Sequence, residues 1–320
     1  MAQIAVTGAA GSVGRETLRG LEGHDVTALT HREHDDIDGQ VVEITDPDSI
    51  GPALAGHDVV VHLAGNPSPE AEWDSVLHAN IDGTHNVYEA AREHDLETAV
   101  RSGGHSVSGA SVVSGGLVVD CSRMEWVHVD PEKGTARVGP GATWGTVDRA
   151  TQSFGLATPG GVYADTGVAG LTLGGGTGYL SPKHGFTADN LREIEIVTGS
   201  GERVTADAER HADLFWAARG GGTPGVVTAF EFDLHPLDHD VPYFESWLPV
   251  SVAGDALREY RRYQRDAPEE SCVFPYFARV PATAEYPADR HGDLAVVVAG
   301  VYAGTPDAGR REFERFRDHP

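Results

Sequence analysis

The first hundred residues alternate short apolar runs with amphipathic or polar ones. Ile4-Ala-Val6, Asp25-Val-Thr-Ala-Leu29, Val41-Val-Glu-Ile44 and Asp58-Val-Val-Val-His-Leu-Ala-Gly65 read as four strands, the last apolar until its C-terminal end. Between them, Arg15 to Leu21 has helical character. Pro47 to Ala55 reads as a helix opened by Asp46, a side chain suited to accept from the free N–H groups of a first turn. Asn80 to His94 predicts an amphipathic helix with Ile81, Val87 and Ala90–Ala91 on its inner side. Strands and helices alternating at this length imply a parallel, doubly wound α/β sheet.

The pattern then changes. An extended run, Glu97-Thr-Ala-Val100, leads into Arg101-Ser-Gly-Gly-His-Ser-Val-Ser-Gly109, which is too rich in glycine to be a helix. Beyond Pro236, Tyr243 to Val250 alternates like a strand and Ala253 to Arg265 is helical. Ala295 to Tyr302 is an apolar strand, and Asp307 to Arg317 begins another helix.

A chain of 320 residues accommodates about two domains. An apolar fraction of 40% supports ordinary globular cores, and no apolar run reaches the length of a membrane span. The N-terminus enters a strand directly, without the charged and apolar regions of a secretory leader, so a cytoplasmic protein is expected. Forty-nine acidic residues face 24 basic ones, giving a net charge of −25, and only Lys133 and Lys183 are lysines. Such a charge repels nucleic acid and anionic membranes, so neither is expected as a partner. The acid-rich, lysine-poor balance resembles that of proteins from salt-accumulating halophiles, where the Debye length falls to about 3 Å at 1 M salt and self-repulsion is relieved. Cys121 and Cys272 read as free, partly buried thiols. His31 and His34, beside Asp35 and Asp36, fit a solvated acidic loop better than a metal site, since no second ligand pair has suitable spacing.

Two stretches carry chemistry. In the first, Thr7-Gly-Ala-Ala-Gly-Ser-Val-Gly14 follows a strand and opens a helix, the arrangement in which free helix N–H groups meet a pyrophosphate. With His62-Leu-Ala-Gly65 and Asn80-Ile-Asp-Gly-Thr84, residues 1–97 resemble the extended short-chain dehydrogenase/reductases, especially sugar epimerases and uronate-type dehydrogenases. The resemblance implies a Rossmann-like NAD(P) site at Gly8, Gly11, Ser12, Val13 and Gly14, with Ala64–Gly65 alongside and Glu43–Ile44 near the adenine. NAD-selective members carry an acid after the second strand. Here Thr30-His-Arg32 stands instead, and Arg32 suits a 2′-phosphate. The family's catalytic Tyr-x-x-x-Lys pair has one match, Tyr179-Leu-Ser-Pro-Lys183, where Pro182 argues against an intact helix.

In the second stretch, Gly103–Gly104 let backbone N–H groups converge on a diphosphate, with His105 directly after the turn. Further motifs follow in order: Val118-Val-Asp-Cys-Ser-Arg-Met124, Val138-Gly-Pro-Gly-Ala-Thr-Trp-Gly145, Thr158-Pro-Gly-Gly161, Thr166 to Gly176, Gly185 to Asn190, Leu214 to Gly222 and Gly225-Val-Val-Thr228. From Ala99 to about Pro236 the chain resembles the FAD-linked oxidases with a PCMH-type flavin domain, most closely the berberine-bridge-enzyme-like group. Three segments are therefore expected: a partial α/β Rossmann-like domain at 1–97, an α+β PCMH-type FAD-binding domain at 98–236, and at 237–320 the beginning of an α+β substrate domain.

The resemblance implies covalent FAD through His105. Arg101, Ser102, Gly103, Gly104 and Ser106 would surround it, with Gly167, Val168, Gly170, Leu171, Gly174, Gly175 and Val227 as further main-chain contacts. For the glycines of 167–176 the alternative is tight packing. Tyr163 stands where bicovalent relatives carry a cysteine, so a second link is not expected. Relatives read Gly-Asn-Phe-Gly where this chain has Gly222-Thr-Pro-Gly225, and Pro224 removes an N–H. The implied function is an FAD-dependent oxidoreductase acting on an alcohol or sugar hydroxyl carbon of a small-molecule substrate. An NAD(P)-binding sugar epimerase or dehydrogenase, and an inactive fusion of two fragments, are the alternatives. Sheet edges left by missing strands would invite association into oligomers.

Overall fold

A computed structural model of the chain describes residues 2–65, 72, 78–94, 96–113, 116–222, 224–314 and 316. It forms two compact units, Met1–Glu125 with Val197–Arg203, and Trp126–Ile196 with Val204–Pro320.

The first unit holds strands β1 (Gln3–Thr7), β2 (Asp25–Thr30), β3 (Gly39–Val41), β4 (Val59–His62), β5 (Glu97–Arg101) and β6 (Gly116–Asp120). Its helices are α1 (Ser12–Gly20), α2 (Pro47–Leu54) and α3 (Gly83–Glu93). The sheet runs β3-β2-β1-β4-β6-β5, parallel throughout. Leu18 and Leu21 pack on one layer of core with Ile4, Val6 and Ala28. Ile50, Leu54, Val87 and Ala90 form the other with Leu29, Val60 and Leu117, which is the two-faced burial of a doubly wound sheet.

Most predicted boundaries agree, with instructive differences. Asp46 caps α2 as expected, its carboxylate accepting from Asp48 N at 3.0 Å. Helix α1 starts three residues before Arg15, because Gly11 serves as its N-cap. Strand β3 ends at Val41, whereas the apolar run extends to Ile44; Ile44 instead turns against α3, where Asn86 Nδ2 donates to its carbonyl at 3.0 Å. The helix expected from Asn80 begins as a π-turn, His78–Asp82, and the side chain of Ile81 lies outside the described residues. The outer edge of β4 is occupied: Val60, Val61 and His62 pair with Leu117, Val118 and Val119 of β6, which then pairs with β5.

The second unit builds a five-stranded sheet in the order β11-β10-β12-β8-β7. These are β7 (Val127–Asp130), β8 (Thr135–Val138), β10 (Leu191–Thr198), β11 (Arg203–Asp207) and β12 (Gly225–Asp233), while β9 (Leu156–Ala157) pairs with β13 (His235–Pro236). The tip of the β10–β11 hairpin groups with the first unit. Helices α4 (Trp144–Gln152), α5 (Val168–Leu173), α6 (Ser181–His184) and α7 (Ala212–Ala218) accompany it. Trp144, Val147, Ile194, Phe215, Phe230 and Phe232 fill the core.

A separate antiparallel sheet follows, with β16 (Leu294–Tyr302) between β14 (Tyr243–Pro249) and β15 (Ser271–Arg279). Helices α8 (Ala253–Tyr263) and α9 (Pro306–Glu314) contribute Tyr263 and Phe313 to its core, beside Phe244, Val273 and Val298. The expected helix past Asp307 is described only to Glu314, and Arg317 lies outside the described residues.

Candidate functional site

In the first unit, glycine geometry closes the turn after β1. Gly8 has φ +67°, and a Cβ there would lie 2.6 Å from Ala64 N, so only glycine lets the turn abut the end of β4. A Cβ on Gly14 would sit 2.3 Å from Gly8 O. Gly11 N donates back to Gly8 O at 3.0 Å, and Gly11 offers no side-chain cap. The first-turn N–H groups of Ser12, Val13 and Gly14 have no carbonyl ahead of them in the helix, leaving donors for an anion. Ala64 is thereby brought beside Gly8.

Behind the turn lies a network that sequence reasoning passed over. Leu63 N and Ala64 N donate to Thr7 Oγ1 at 3.1 and 3.3 Å. The Thr7 hydroxyl therefore turns its own hydrogen to His62 Nδ1, 2.7 Å away, and His62 Nε2 donates to Thr84 Oγ1 at 3.0 Å. This is a neutral imidazole, and loss of water around the ring pushes its pKa down to about 4. The residues expected farther along the site are more open. Arg32 is exposed, and its carbonyl accepts from Thr30 Oγ1 at 2.8 Å. The Glu43 carboxylate accepts from Thr45 N at 3.0 Å and Thr45 Oγ1 at 2.8 Å, which holds its pKa below the usual range. An ion pair joins Arg15, on the first turn of α1, to Asp36.

The Arg101–Gly109 stretch leaves the end of β5. Arg101 Nη1 donates to Asp120 Oδ2 at 2.7 Å, tying the ends of β5 and β6. Gly104 has φ +76° and curls the chain over the Arg101 guanidinium, which would lie 3.3 Å from a Cβ there. Ser102 and Gly103 are half-buried, and His105 and Ser106 are exposed. Ser106 braces the loop, its Oγ accepting from Ala110 N at 3.1 Å and its carbonyl from Gly109 N at 3.2 Å. Cys121, whose N–H donates to Arg101 O at 2.8 Å just past β6, is buried, and its thiol is pushed up to about 12 by desolvation and then by Asp120.

In the second unit the glycines fall into two groups. A Cβ on Gly178 would lie 1.9 Å from Gly160 O, one on Gly160 2.5 Å from the Trp144 ring, and one on Gly176 2.4 Å from Thr187 Oγ1. Those glycines serve packing. Gly170 and Gly175 would meet nothing within 4 Å, and Gly174 would meet only the helix carbonyls of Gly170 and Leu171, at 3.3 and 3.6 Å. Helix α5 and its C-terminal turn thus present a side without Cβ atoms to open space, a cradle that an added side chain would fill. Gly167 caps the N-terminus of α5. Val168 is buried in the core, and Leu171 packs partly against it. The buried hydroxyls of Thr158 and of Thr187, the latter against Gly176, have no hydrogen-bond partner among the described residues. Val227, on β12, turns its side chain into the core and leaves only main chain for a ligand. Tyr163 is exposed. Thr223, of the Gly222-Thr-Pro-Gly225 stretch, lies outside the described residues. Of the Tyr179/Lys183 pair, Tyr179 precedes the four-residue helix α6, and Lys183 Nζ donates to Ala303 O at 3.1 Å.

A glycine-closed turn on a parallel sheet, continued into an α+β domain with a glycine-lined helix, defines a composite of two nucleotide-cofactor folds. Residues 4–115 match the NAD dependent epimerase/dehydratase family and residues 76–207 an FAD binding domain, so the two matches overlap. L-arabinose 1-dehydrogenase (NAD(P)(+)) of Haloferax volcanii is 36% identical over 239 residues, covering 73% of this chain and 84% of that protein. Among solved structures, 6-hydroxy-D-nicotine oxidase of Arthrobacter nicotinovorans superposes with a TM-score of 0.65 at 29% identity, covering 74% of this chain and 51% of that one. Xylooligosaccharide oxidase of Myceliophthora thermophila C1, in complex with xylobiose, gives 0.63 at 27%, covering 74% and 49%. The chain belongs to the NAD dependent epimerase/dehydratase family and carries, from residue 76, the FAD binding domain of the FAD-linked oxidases. It spans about half the length of the two oxidases.

Proposed function

We propose that this chain is an FAD-dependent oxidoreductase of the berberine-bridge-like class, acting on a hydroxyl-bearing carbon of a small molecule. The observation that carries the reading is the cradle on α5, where Gly170, Gly174 and Gly175 keep open the side that Gly160, Gly176 and Gly178 do not. Bound flavin supplies the hydride acceptor for oxidation of an alcohol or sugar. The backbone N–H groups of Gly103 and Gly104 would receive its diphosphate, and Arg101, Ser102 and Ser106 set the shape of that loop. His105, exposed after the left-handed Gly104, is the side chain that would hold the flavin covalently, its imidazole replacing a hydrogen of the flavin's 8α-methyl group with dioxygen as the oxidant. Within the second unit, Gly167, Val168, Leu171 and Val227 would offer main-chain contacts to a cofactor on α5.

A second reading is favoured by the closed turn at Gly8 and Gly14: the first unit also takes up NAD(P), on the N-terminus of α1, with Arg32 inclining it to NADP. The charge of −25 fits a concentrated-salt cytoplasm.

The test is simple. The protein is purified from molar KCl, denatured, and run on a gel viewed for flavin fluorescence. Fluorescence that stays with the polypeptide, and becomes extractable in His105→Ala, is the expected result. A folded but colourless protein would overturn the reading.

A further inference from the structure

The parallel sheet of the first unit ends on two unlike strands. At one edge β3 is three residues long and includes Gly39, and so short an edge templates little. At the other, β5 runs for five residues, Glu97-Thr-Ala-Val-Arg101, with no proline, glycine or lysine to blunt it, and among the described residues only β6 pairs with it. One bond fixes the direction of its amides. Arg101 O accepts from Cys121 N at 2.8 Å, just past β6, so Arg101 turns its main-chain groups inward. Main-chain groups alternate along a strand, so Ala99 and Glu97 also face β6, and the N–H and C=O groups of Thr98 and Val100 face outward.

The space beyond the edge is open. Val100 is 40% exposed, and Glu97 is exposed. The tip of the β10–β11 hairpin leans instead on α3, where a Cβ on Gly201 would lie 2.9 Å from His85 Cε1, and it forms no ladder with β5. Between Gly199 and the start of β5 there remains a cavity of about 350 Å³, lined also by Tyr88 and Arg92. Arg92 is held by Glu89 at 2.7 Å, and Glu97 has no ion pair among the described residues.

The edge is complementary to itself. With two copies of β5 antiparallel about Ala99, Thr98 stands opposite Val100 of the second copy, and Glu97 opposite its Arg101. Both Thr98–Val100 pairs then exchange hydrogen bonds through the outward amides, and pack β-branched side chains together. The Glu97–Arg101 pairs fall at the non-hydrogen-bonded positions, where side chains approach most closely, with opposite charges at each. A parallel pairing in the same register would set Glu97 beside Glu97 and Arg101 beside Arg101, so charge selects the antiparallel one. We infer that β5 is a docking edge for a second copy of this chain, which joins two first units into one continuous sheet through an isologous contact. Glu97 of the second copy then reaches the Arg101 guanidinium, over which Gly104 curls the chain, and braces the Arg101–Gly109 loop at its root. Copies of charge −25 repel one another until salt screens them, whereas this contact is itself charge-balanced. The inference stands apart from the flavin reading.

The full chain as purified in molar KCl is followed by sedimentation velocity from about 1 to about 200 µM. A monomer–dimer equilibrium in rapid exchange is expected, because a contact of two short strands is far smaller than a permanent interface. Val100→Pro removes an outward N–H and no bond to β6. It should keep the parent's far-ultraviolet spectrum and raise the dimer Kd about tenfold or more. Glu97→Arg sets like charges opposite one another and should also raise it. Ala99→Cys places two thiols opposite each other at a Cα spacing of about 4.5 Å, within disulfide range, and should cross-link under mild oxidation. Val100→Cys, offset to about 7–8 Å, should not. The parent, with Cys121 and Cys272, is the control for native thiols. A chain that stays monomeric throughout overturns the inference. So does a dimer that Val100→Pro and Glu97→Arg leave unchanged, or cross-linking of Val100→Cys as fast as that of Ala99→Cys.

Discussion

The two groups of glycines permit a paired substitution. Gly170 lies inside α5, and a methyl there meets nothing within 4 Å. Replacing an interior helix glycine by alanine removes an entropy cost of about 0.5–1 kcal/mol. For a unit of this size that raises the melting temperature by about 1–4 °C. Gly178→Ala adds the same methyl 1.9 Å from Gly160 O, so backbone must move by roughly 1 Å in a core where overpacking costs about 3 kcal/mol or more. Its melting temperature should fall by about 6 °C or more. If flavin lies against the open side, Gly170→Ala is stable yet poor at retaining it. The assay is thermal unfolding by circular dichroism of protein stripped of unbound cofactor, paired with flavin content per chain. The reasoning is refuted if Gly170→Ala melts below the parent, or if it holds a full complement of flavin. An unchanged melting temperature for Gly178→Ala would equally refute the close approach of 160 and 178.

Two further outcomes follow from charge and burial. His62 titrates near 4 in the folded chain and near 6.5 when unfolded, so protons favour unfolding between those values. Stability is intact above pH 6.5 and declines as pH falls toward 4, by at most about 3 kcal/mol. Urea unfolding of His62→Gln should show a shallower slope, the remainder coming from His184, which is also pushed down to about 4; a mutant with the parent's full pH dependence would assign it elsewhere. A chain of net charge −25 should also melt higher as KCl is raised from 0.1 M toward molar concentrations, where the Debye length shrinks from about 10 to about 3 Å. A melting temperature that is flat or falling with salt would show that self-repulsion is not limiting.

Local chemistry made the first unit legible. The Asp46 cap, the glycines after β1 and the apolar run of β4 each act within a few residues, and each appears where the pattern puts it. Strand order does not act locally. Nothing in Gly116 to Asp120 announces that it will insert between β4 and β5. Strand β15 escaped because Pro275 interrupts its pattern, although Pro275 sits on an outer strand of its sheet, where a missing N–H is tolerated. Without β15, the hydrogen bond from Tyr276 OH to Glu245 Oε1 is invisible, its partners being far apart in sequence. The alternation Tyr243, Glu245, Trp247 was the signal available. Glycine roles are illegible for a different reason: Gly175 and Gly176 are identical letters, and only the third dimension shows open space beside one and Thr187 beside the other.

The order β4-β6-β5 has a consequence for how such a chain arises. Parallel strands recognise one another through main-chain amides, which every sequence supplies, and ask of side chains only a suitable apolar face. A crossover that falls between β4 and β5 therefore leaves a socket and a plug of the same gauge. Val60 to His62 accept Leu117 to Val119 as neighbours although the two strands carry the marks of different families. Gene segments of unrelated ancestry are then mechanically compatible wherever both are cut at a helix entering a parallel strand, and libraries of recombinants cut at α3 should yield folded first units far more often than cuts inside a strand.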